Sequence, residues 1–223
     1  MNIEIRDIKK RYGRKEVLKG VSFAAESGEC IGILGENGSG KSTLFSVLCG
    51  LQRGDGSFML DGGEDLMKNS RLRSRTVGFV PQEPPLMAEL SAKDNLRLWY
   101  SGKAIREGLS GGVLELLGIG EFLSVTVSKM SGGMKKRLSI GCSVANDPKV
   151  LLLDEPTGAL DLVCKKSIAE YLSDFCKKGG IAIIASHDVY ELEACDRLYV
   201  LKGGTLTLHE GKRDVDTLAE LLL

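Results

Sequence analysis

Hydrophobic positions along this chain gather into short unbroken runs. Ile31-Gly32-Ile33-Leu34, the run at 150–153 and the run at 181–185 contain no polar residue. Four or five apolar residues between turn signals predict strands covered on both faces, as in a parallel sheet. The segment 41–49 after the first run reads as a helix stopped at Gly50. By contrast, 57–60 before Asp61-Gly62-Gly63, and 198–201 before Gly203-Gly204, predict antiparallel strands and turns. From 91 to about 123 the period becomes helical, and Ser91 with Asp94 three residues on makes a candidate capping box. A short capped helix is predicted at 216–223, with no room after it for an added domain.

These elements predict one α/β domain over 1–223. Residues 1–85 and 140–223 form its core, with a mixed, mainly parallel sheet and an antiparallel β subdomain, and 86–139 form an inserted helical subdomain. Composition removes some alternatives. Lys plus Arg equals Asp plus Glu, 30 against 30, so no basic excess advertises a nucleic-acid partner. The longest apolar runs fall far short of the ~20 residues that span a bilayer, so any membrane segment must come from another chain. The first residues, Met1-Asn2-Ile3-Glu4-Ile5-Arg6, lack the apolar centre of a signal peptide. Six cysteines form no C-x-x-C pair, and with two histidines they predict buried, reduced thiols rather than a metal site.

The sharpest chemical signal lies between the first predicted buried strand and its helix. Gly35-Glu36-Asn37-Gly38-Ser39-Gly40-Lys41-Ser42 fits G-x-x-x-x-G-K-[ST], with Thr43 following. Glycines let successive backbone N–H groups converge on phosphate oxygens, and the helix start adds its positive dipole end. A lysine at Lys41 can reach β- and γ-phosphates, and a hydroxyl at Ser42 can coordinate Mg²⁺. This is a triphosphate site, with ATP and Mg²⁺ as its expected ligands. The 150–153 run then ends in Asp154-Glu155, one carboxylate to hold the metal through water and one to orient and deprotonate the attacking water. Taken alone, a strand with a solvated acidic end fits that dipeptide equally well.

The continuation Pro156-Thr157-Gly158-Ala159-Leu160-Asp161 resembles the ATP-binding cassette (ABC) family, a branch of the P-loop NTPases. Met130-Ser131-Gly132-Gly133-Met134-Lys135-Lys136-Arg137 resembles its signature motif, and Ser131 precedes Asp154 by 23 residues, a spacing typical of the family. Leu109-Ser110-Gly111-Gly112 matches the same letters but lies too early and lacks the basic residues, so it predicts a turn into a helix through Val113, Leu114, Leu116 and Leu117. The resemblance implies adenine stacking on Tyr12, a metal and partner-sensing role for Gln82, and a γ-phosphate contact for His187. It also implies that Ser131, Gly132, Gly133 and Asp161 serve nucleotide across a dimer interface. Met130, Met134 and Leu162 depart from the usual Leu, Gln and Pro.

What the resemblance implies is an ATP-hydrolysing subunit of a transporter, pairing with a second ATPase subunit, identical or not, around two ATP molecules. It would drive a transmembrane permease on a separate chain from the cytoplasmic face of the membrane. The run 133–140 is most similar to the exporting branch, with importers as the alternative. A soluble cassette ATPase of translation or DNA repair is a rival reading, but such relatives carry paired cassettes or long inserts. A phosphate-loop kinase or GTPase fits less well, since no Asn-Lys-x-Asp is present.

Overall fold

A computed structural model describes residues 1–158 and 160–222. Ala159 and Leu223, which fall in two of the predicted segments, lie outside the described residues. The chain opens with a hairpin of β1 (Asn2–Tyr12) and β2 (Lys15–Glu26), then β3 (Cys30–Leu34) and α1 (Lys41–Leu48). Next come β4 (Asp55–Leu60), β5 (Glu64–Asp65), α2 (Ser70–Thr76) and β6 (Val77–Val80). A helical stretch follows, with α3 (Ala92–Arg97), α4 (Gly102–Gly108), α5 (Val113–Leu116) and α6 (Gly132–Ser143). The remainder alternates β7 (Val150–Asp154), α7 (Leu162–Lys177), β8 (Ile181–Ser186) and α8 (Val189–Glu193), then β9 (Arg197–Lys202), β10 (Thr205–His209) and α9 (Val215–Leu222).

The strands make two sheets. One is antiparallel in the order β2-β1-β4-β5, and the other runs β10-β9-β3-β8-β7-β6. In the second, every pairing from β9 to β6 is parallel, and β10 closes the edge antiparallel to β9. The unbroken apolar runs are explained by cover on both faces. Val150, Leu152, Ile181 and Ile183 pack toward α1 and the antiparallel sheet. Leu151, Leu153, Ala182 and Ile184 pack toward α6, α7 and the helical stretch. Alternate side chains of one strand thus serve two cores, which is why no polar alternation marks these strands.

Several local expectations change. The 198–201 segment, expected in an antiparallel pair, is parallel to β3 on one side and antiparallel to β10 on the other, because it is the penultimate strand. The helical pattern from 91 to 123 divides into three α-helices and a 3₁₀ turn at Ile119–Phe122. Ser101 caps a new start at Ala104 N, and Gly111 and Gly118 take left-handed φ of 96° and 61°, which stop helices cheaply only at glycine. Ser91 does cap α3, but the Asp94 carboxylate accepts from the Ser91 hydroxyl (2.6 Å), so the second arm of the box returns to the side chain. The expected division at 139/140 falls inside α6, which continues to Ser143. The last helix begins one residue early, capped by Asp214 Oδ1, which accepts from Thr217 N–H (2.9 Å). All six thiols are free; Cys30 and Cys49 are half-buried and the other four buried.

Candidate active site

Parallel pairing brings the carboxyl ends of β3, β6, β7 and β8 to one edge of the sheet, and an open α/β sheet binds ligands in the crevice outside those ends. The segment after β3 folds back tightly there. A Cβ on Gly35 would sit 2.6 Å from Ser39 Oγ and 2.7 Å from the Leu201 carbonyl oxygen, so the turn has no space for a side chain. Gly40, at φ 114°, launches α1 from a conformation other residues rarely adopt. The N–H groups of the first turn of α1 have no intrahelical partners and point their dipoles toward the crevice mouth.

Glu36, Asn37, Gly38, Gly40, Lys41, Ser42, Thr43, Gln82, Asp154 and Glu155 line one cleft of about 350 Å³. Lys41 is 7% exposed, and its ammonium donates to the carbonyls of Gly35 (2.6 Å) and Glu36 (3.2 Å). It also lies 3.9 Å from Glu155 Oε1. These weak partners can be exchanged for phosphate oxygens without leaving the charge stranded. Burial pushes the Asp154 carboxyl above its ordinary value; a hydrogen bond with Ser42 pulls the other way, and the neighbouring Glu155 carboxylate adds to the rise.

Glu155 departs from the strand it ends. Its φ is 48°, a left-handed conformation that costs a non-glycine residue roughly 1–2 kcal/mol. Its N–H donates to the Ala185 carbonyl (2.9 Å), which holds the turn against β8. The side chain is 7% exposed, and His187 Nδ1 lies 2.9 Å from Oε1. An ionised carboxylate only accepts, so the contact requires the proton on Nδ1 and leaves Nε2 of a neutral ring as an acceptor. Oε2 is buried with no hydrogen-bond partner. One oxygen is thus tethered to His187, and the other is buried without a partner in a side chain that lines the cleft.

Oxygen donors from Ser42, Gln82 and Asp154 meet in this cleft. A hydroxyl, an amide and a carboxylate are hard ligands, suited to Mg²⁺ completed by phosphate and water. Among the described residues no group of three His, Cys, Asp or Glu is placed to hold a metal ion by itself.

The other residues singled out from the sequence lie outside the lining of this cleft. Tyr12, at the end of β1, is 44% exposed; its hydroxyl pairs with Gln52, and the Lys10 ammonium sits 4.9 Å above its ring. Ser131 caps α6, its hydroxyl accepting from Met134 N–H (3.2 Å). Asp161 caps α7, its carboxylate accepting from Cys164 N–H (2.9 Å). These two caps are neighbours: a Cβ on Gly133 would come within 2.4 Å of Cys164 Sγ and 3.8 Å of Asp161 Oδ2, and one on Gly132 within 3.8 Å of Leu160. The segment at 109–112 is a turn, with Gly112 preceding α5. Sequence reasoning gave no role to Glu191, a buried carboxylate in α8, or to Thr157, a buried hydroxyl. A charged residue in a short helix carries no sign of burial until its neighbours are placed.

Comparison with known proteins bears on the family and the fold. The profile of the family described as ABC transporter matches residues 18–158. The linearmycin resistance ATP-binding protein of Bacillus subtilis is 34% identical over 218 residues, 96% of this chain and 70% of that protein. The Nod factor export ATP-binding protein I of Rhizobium etli is 36% identical over 225 residues, 99% of this chain and 71% of its own length. Among solved structures, an ATP-binding subunit of an ABC transporter superposes with a TM-score of 0.84 at 25% identity, covering 99% of both chains. A dimeric post-hydrolysis state of the cassette MJ0796, bound to ADP and Pi, gives a TM-score of 0.77 at 27% identity, over 94% of this chain and all of that one.

Proposed function

The chain belongs to the ABC transporter family, and from that premise we propose how its residues divide the work of an ATP-binding, ATP-hydrolysing subunit of exporter type. The observation that carries the proposal is a site in two parts. One cleft gathers Lys41, Ser42, Gln82, Asp154 and Glu155, whereas Ser131, Gly132, Gly133 and Asp161 cluster elsewhere, at the starts of α6 and α7. The start of α6 is a second anion-binding surface without a phosphate loop of its own. A second ATPase subunit supplies what each lacks: its signature caps the nucleotide held by the first, and the reverse.

Lys41 and the first-turn N–H groups of α1 take the β- and γ-phosphates. Ser42, Gln82 and Asp154 hold Mg²⁺, which when bound offsets charge on the phosphate oxygens. The Glu155 carboxylate accepts a proton from water as the water oxygen attacks the γ-phosphorus and the bond from that phosphorus to the β–γ bridging oxygen breaks, leaving ADP and phosphate, while His187 holds Oε1. Tyr12 offers an exposed aromatic face for adenine. Closure of the second subunit excludes water and completes the donor set, and hydrolysis releases it.

The membrane partner is a permease on a separate chain, which places this subunit peripherally at the cytoplasmic face; no helix among the described residues is long and apolar enough to cross a bilayer. Export is preferred to import because relatives over most of the chain are named for resistance and export. The reading of a soluble ATPase of translation or DNA repair is not favoured.

The test compares Ser131→Arg with Ser110→Arg by light scattering in a hydrolysis-deficient background. Loss of the ATP-dependent dimer in the first and retention in the second are expected. The opposite pattern would place the signature at 110.

A further inference from the structure

The basic residues after Ser131-Gly132-Gly133 carry no role in the scheme above, yet one of them is buried. Lys136 is 5% exposed, in the second turn of α6. Its ammonium donates to the carbonyls of Pro81 (3.0 Å) and Gln82 (2.9 Å), across 55 and 54 residues of chain. Those carbonyls belong to the segment that leaves β6, which ends at Val80 and so has no strand ladder to fix it. Gln82 itself faces the same cleft as Ser42, Asp154 and Glu155.

An ammonium is costly to bury unless it is hydrogen-bonded and compensated, so a lysine here requires a return. Burial pulls the Lys136 ammonium below its ordinary value, while Asp154, Glu191 and Glu155, in that order, oppose the fall. Two of these carboxylates, Asp154 and Glu155, also line the cleft. A second contact provides a contrast. Ser143, at the far end of α6, donates its hydroxyl to the Phe79 carbonyl (2.8 Å) or to that of Ser139 (2.9 Å). It holds β6 to the same helix, but away from the cleft.

We propose that Lys136 is a positioning residue: it ties the signature helix to the backbone at Gln82, so that the Gln82 amide meets the metal–nucleotide complex only while α6 is docked. The inference rests on the metal role of Gln82. A displacement of α6 when a second subunit grips nucleotide at Ser131 then carries Gln82 with it, through one side chain.

The experiment measures ATP hydrolysis against Mg²⁺ concentration, and binding of ATP without Mg²⁺ by displacement of a fluorescent nucleotide. Lys136→Met raises the Mg²⁺ half-saturation about tenfold and lowers kcat by a similar factor, as loss of an outer-sphere support does. Mg²⁺-free ATP affinity stays within about twofold, since the phosphate loop is untouched. Lys136→Arg, which can still donate to both carbonyls, recovers most of the Mg²⁺ dependence. Ser143→Ala loosens the same strand yet leaves Mg²⁺ half-saturation at the parental value. In a Gln82→Ala background, Lys136→Met adds nothing further. Should Lys136→Met fail to fold, Lys136→Gln carries the test with a shift of about threefold in the same direction.

An unchanged Mg²⁺ half-saturation in the Met or Gln variant overturns the proposal, as does an equal shift in Ser143→Ala or an additive effect on Gln82→Ala. If Gln82→Ala alone leaves hydrolysis unchanged, the metal role of Gln82 falls as well, and Lys136 with it. If Gln82→Ala is impaired while Lys136→Met is parental, only the positioning role is lost.

Discussion

Replacing Glu155 by glutamine isolates the chemical step from binding. The change keeps the shape of the side chain and removes its ability to take a proton. At φ 48°, glutamine is strained as much as glutamate, so the turn after β7 costs the fold nothing new. Lys41 keeps its donated bonds to Gly35 and Glu36, and the Glu155 contact it loses was the longest of the three at 3.9 Å. The phosphate loop should therefore hold its form, and ATP affinity should equal or exceed the parental value because a negative charge has left a polyphosphate site. Turnover should fall by ~10²–10⁴-fold, the usual contribution of a positioned base. That is about 2.7–5.4 kcal/mol of barrier at 1.36 kcal/mol per decade. Phosphate release in a single turnover, alongside fluorescent-nucleotide binding, separates the two quantities. Hydrolysis at the parental rate would refute the assignment of the base. A loss of ATP binding equal to the loss of rate would refute the claim that Glu155 acts on the transition state alone.

Two further substitutions probe the packing that holds the site. Gly133→Ala places a methyl 2.4 Å from Cys164 Sγ, so α6 and α7 must separate, at a cost of about 1–3 kcal/mol in denaturant unfolding. Adding Cys164→Ala removes that sulfur and leaves the next contact at 3.3 Å, so the double variant should recover most of the loss; additive destabilisation would show that the clash is not with the thiol. Glu191 is 9% exposed and neither carboxylate oxygen has a hydrogen-bond partner; burial pushes its pKa above the ordinary 4.5. A carboxyl raised in the folded state favours folding below its ordinary pKa, and that contribution is lost as pH rises through the raised value. Glu191→Gln should therefore be more stable than the parent by ~1 kcal/mol at pH 8, with the difference closing toward pH 4 in thermal unfolding. A difference of constant size across that range would contradict the cause given.

What the sequence made legible has a physical pattern. Strands buried on both faces show as unbroken apolar runs, so the strand and phosphate loop at 31–42 and the strand at 150–153 are legible in the letters, whereas Asp154-Glu155 takes its role only from the residues that follow it. The mixed pairing of β9 was not, because strand direction depends on which neighbour the chain returns to, and Leu198 to Leu201 look the same in either sense. The break of 91–123 into three α-helices turned on left-handed glycines, whose letters also suit a helix interior in close packing. Nothing in the letters at Lys136 or Glu191 marks burial; that follows only from the packing of α6 and α8.

Chain order sets how the site divides. A phosphate loop needs a strand, a tight turn and a helix in direct succession, so residues 31–48 can build it locally. Asp154 and Glu155 join it because β7 is parallel to β8, which is parallel to β3, and parallel register brings all their ends to one edge. Ser131 stands at the opposite end of its helix from the connection to β7, since α6 runs from Gly132 to Ser143 and returns the chain toward Val150. At 1.5 Å per residue, a helix of that length separates its two ends by about 18 Å. The Ser143 end meets Phe79 away from the cleft, so the start of α6 lies toward the sheet edge that bears the cleft, and Lys136, one turn in, is the point at which that helix touches the segment bearing Gln82. A helix tied to the Gln82 backbone one turn from its tip transmits what happens at the tip. Within one chain the geometry leaves that tip unengaged by the phosphate loop; engaged by the nucleotide of a second chain, it bears on Gln82 through the two carbonyls that Lys136 holds.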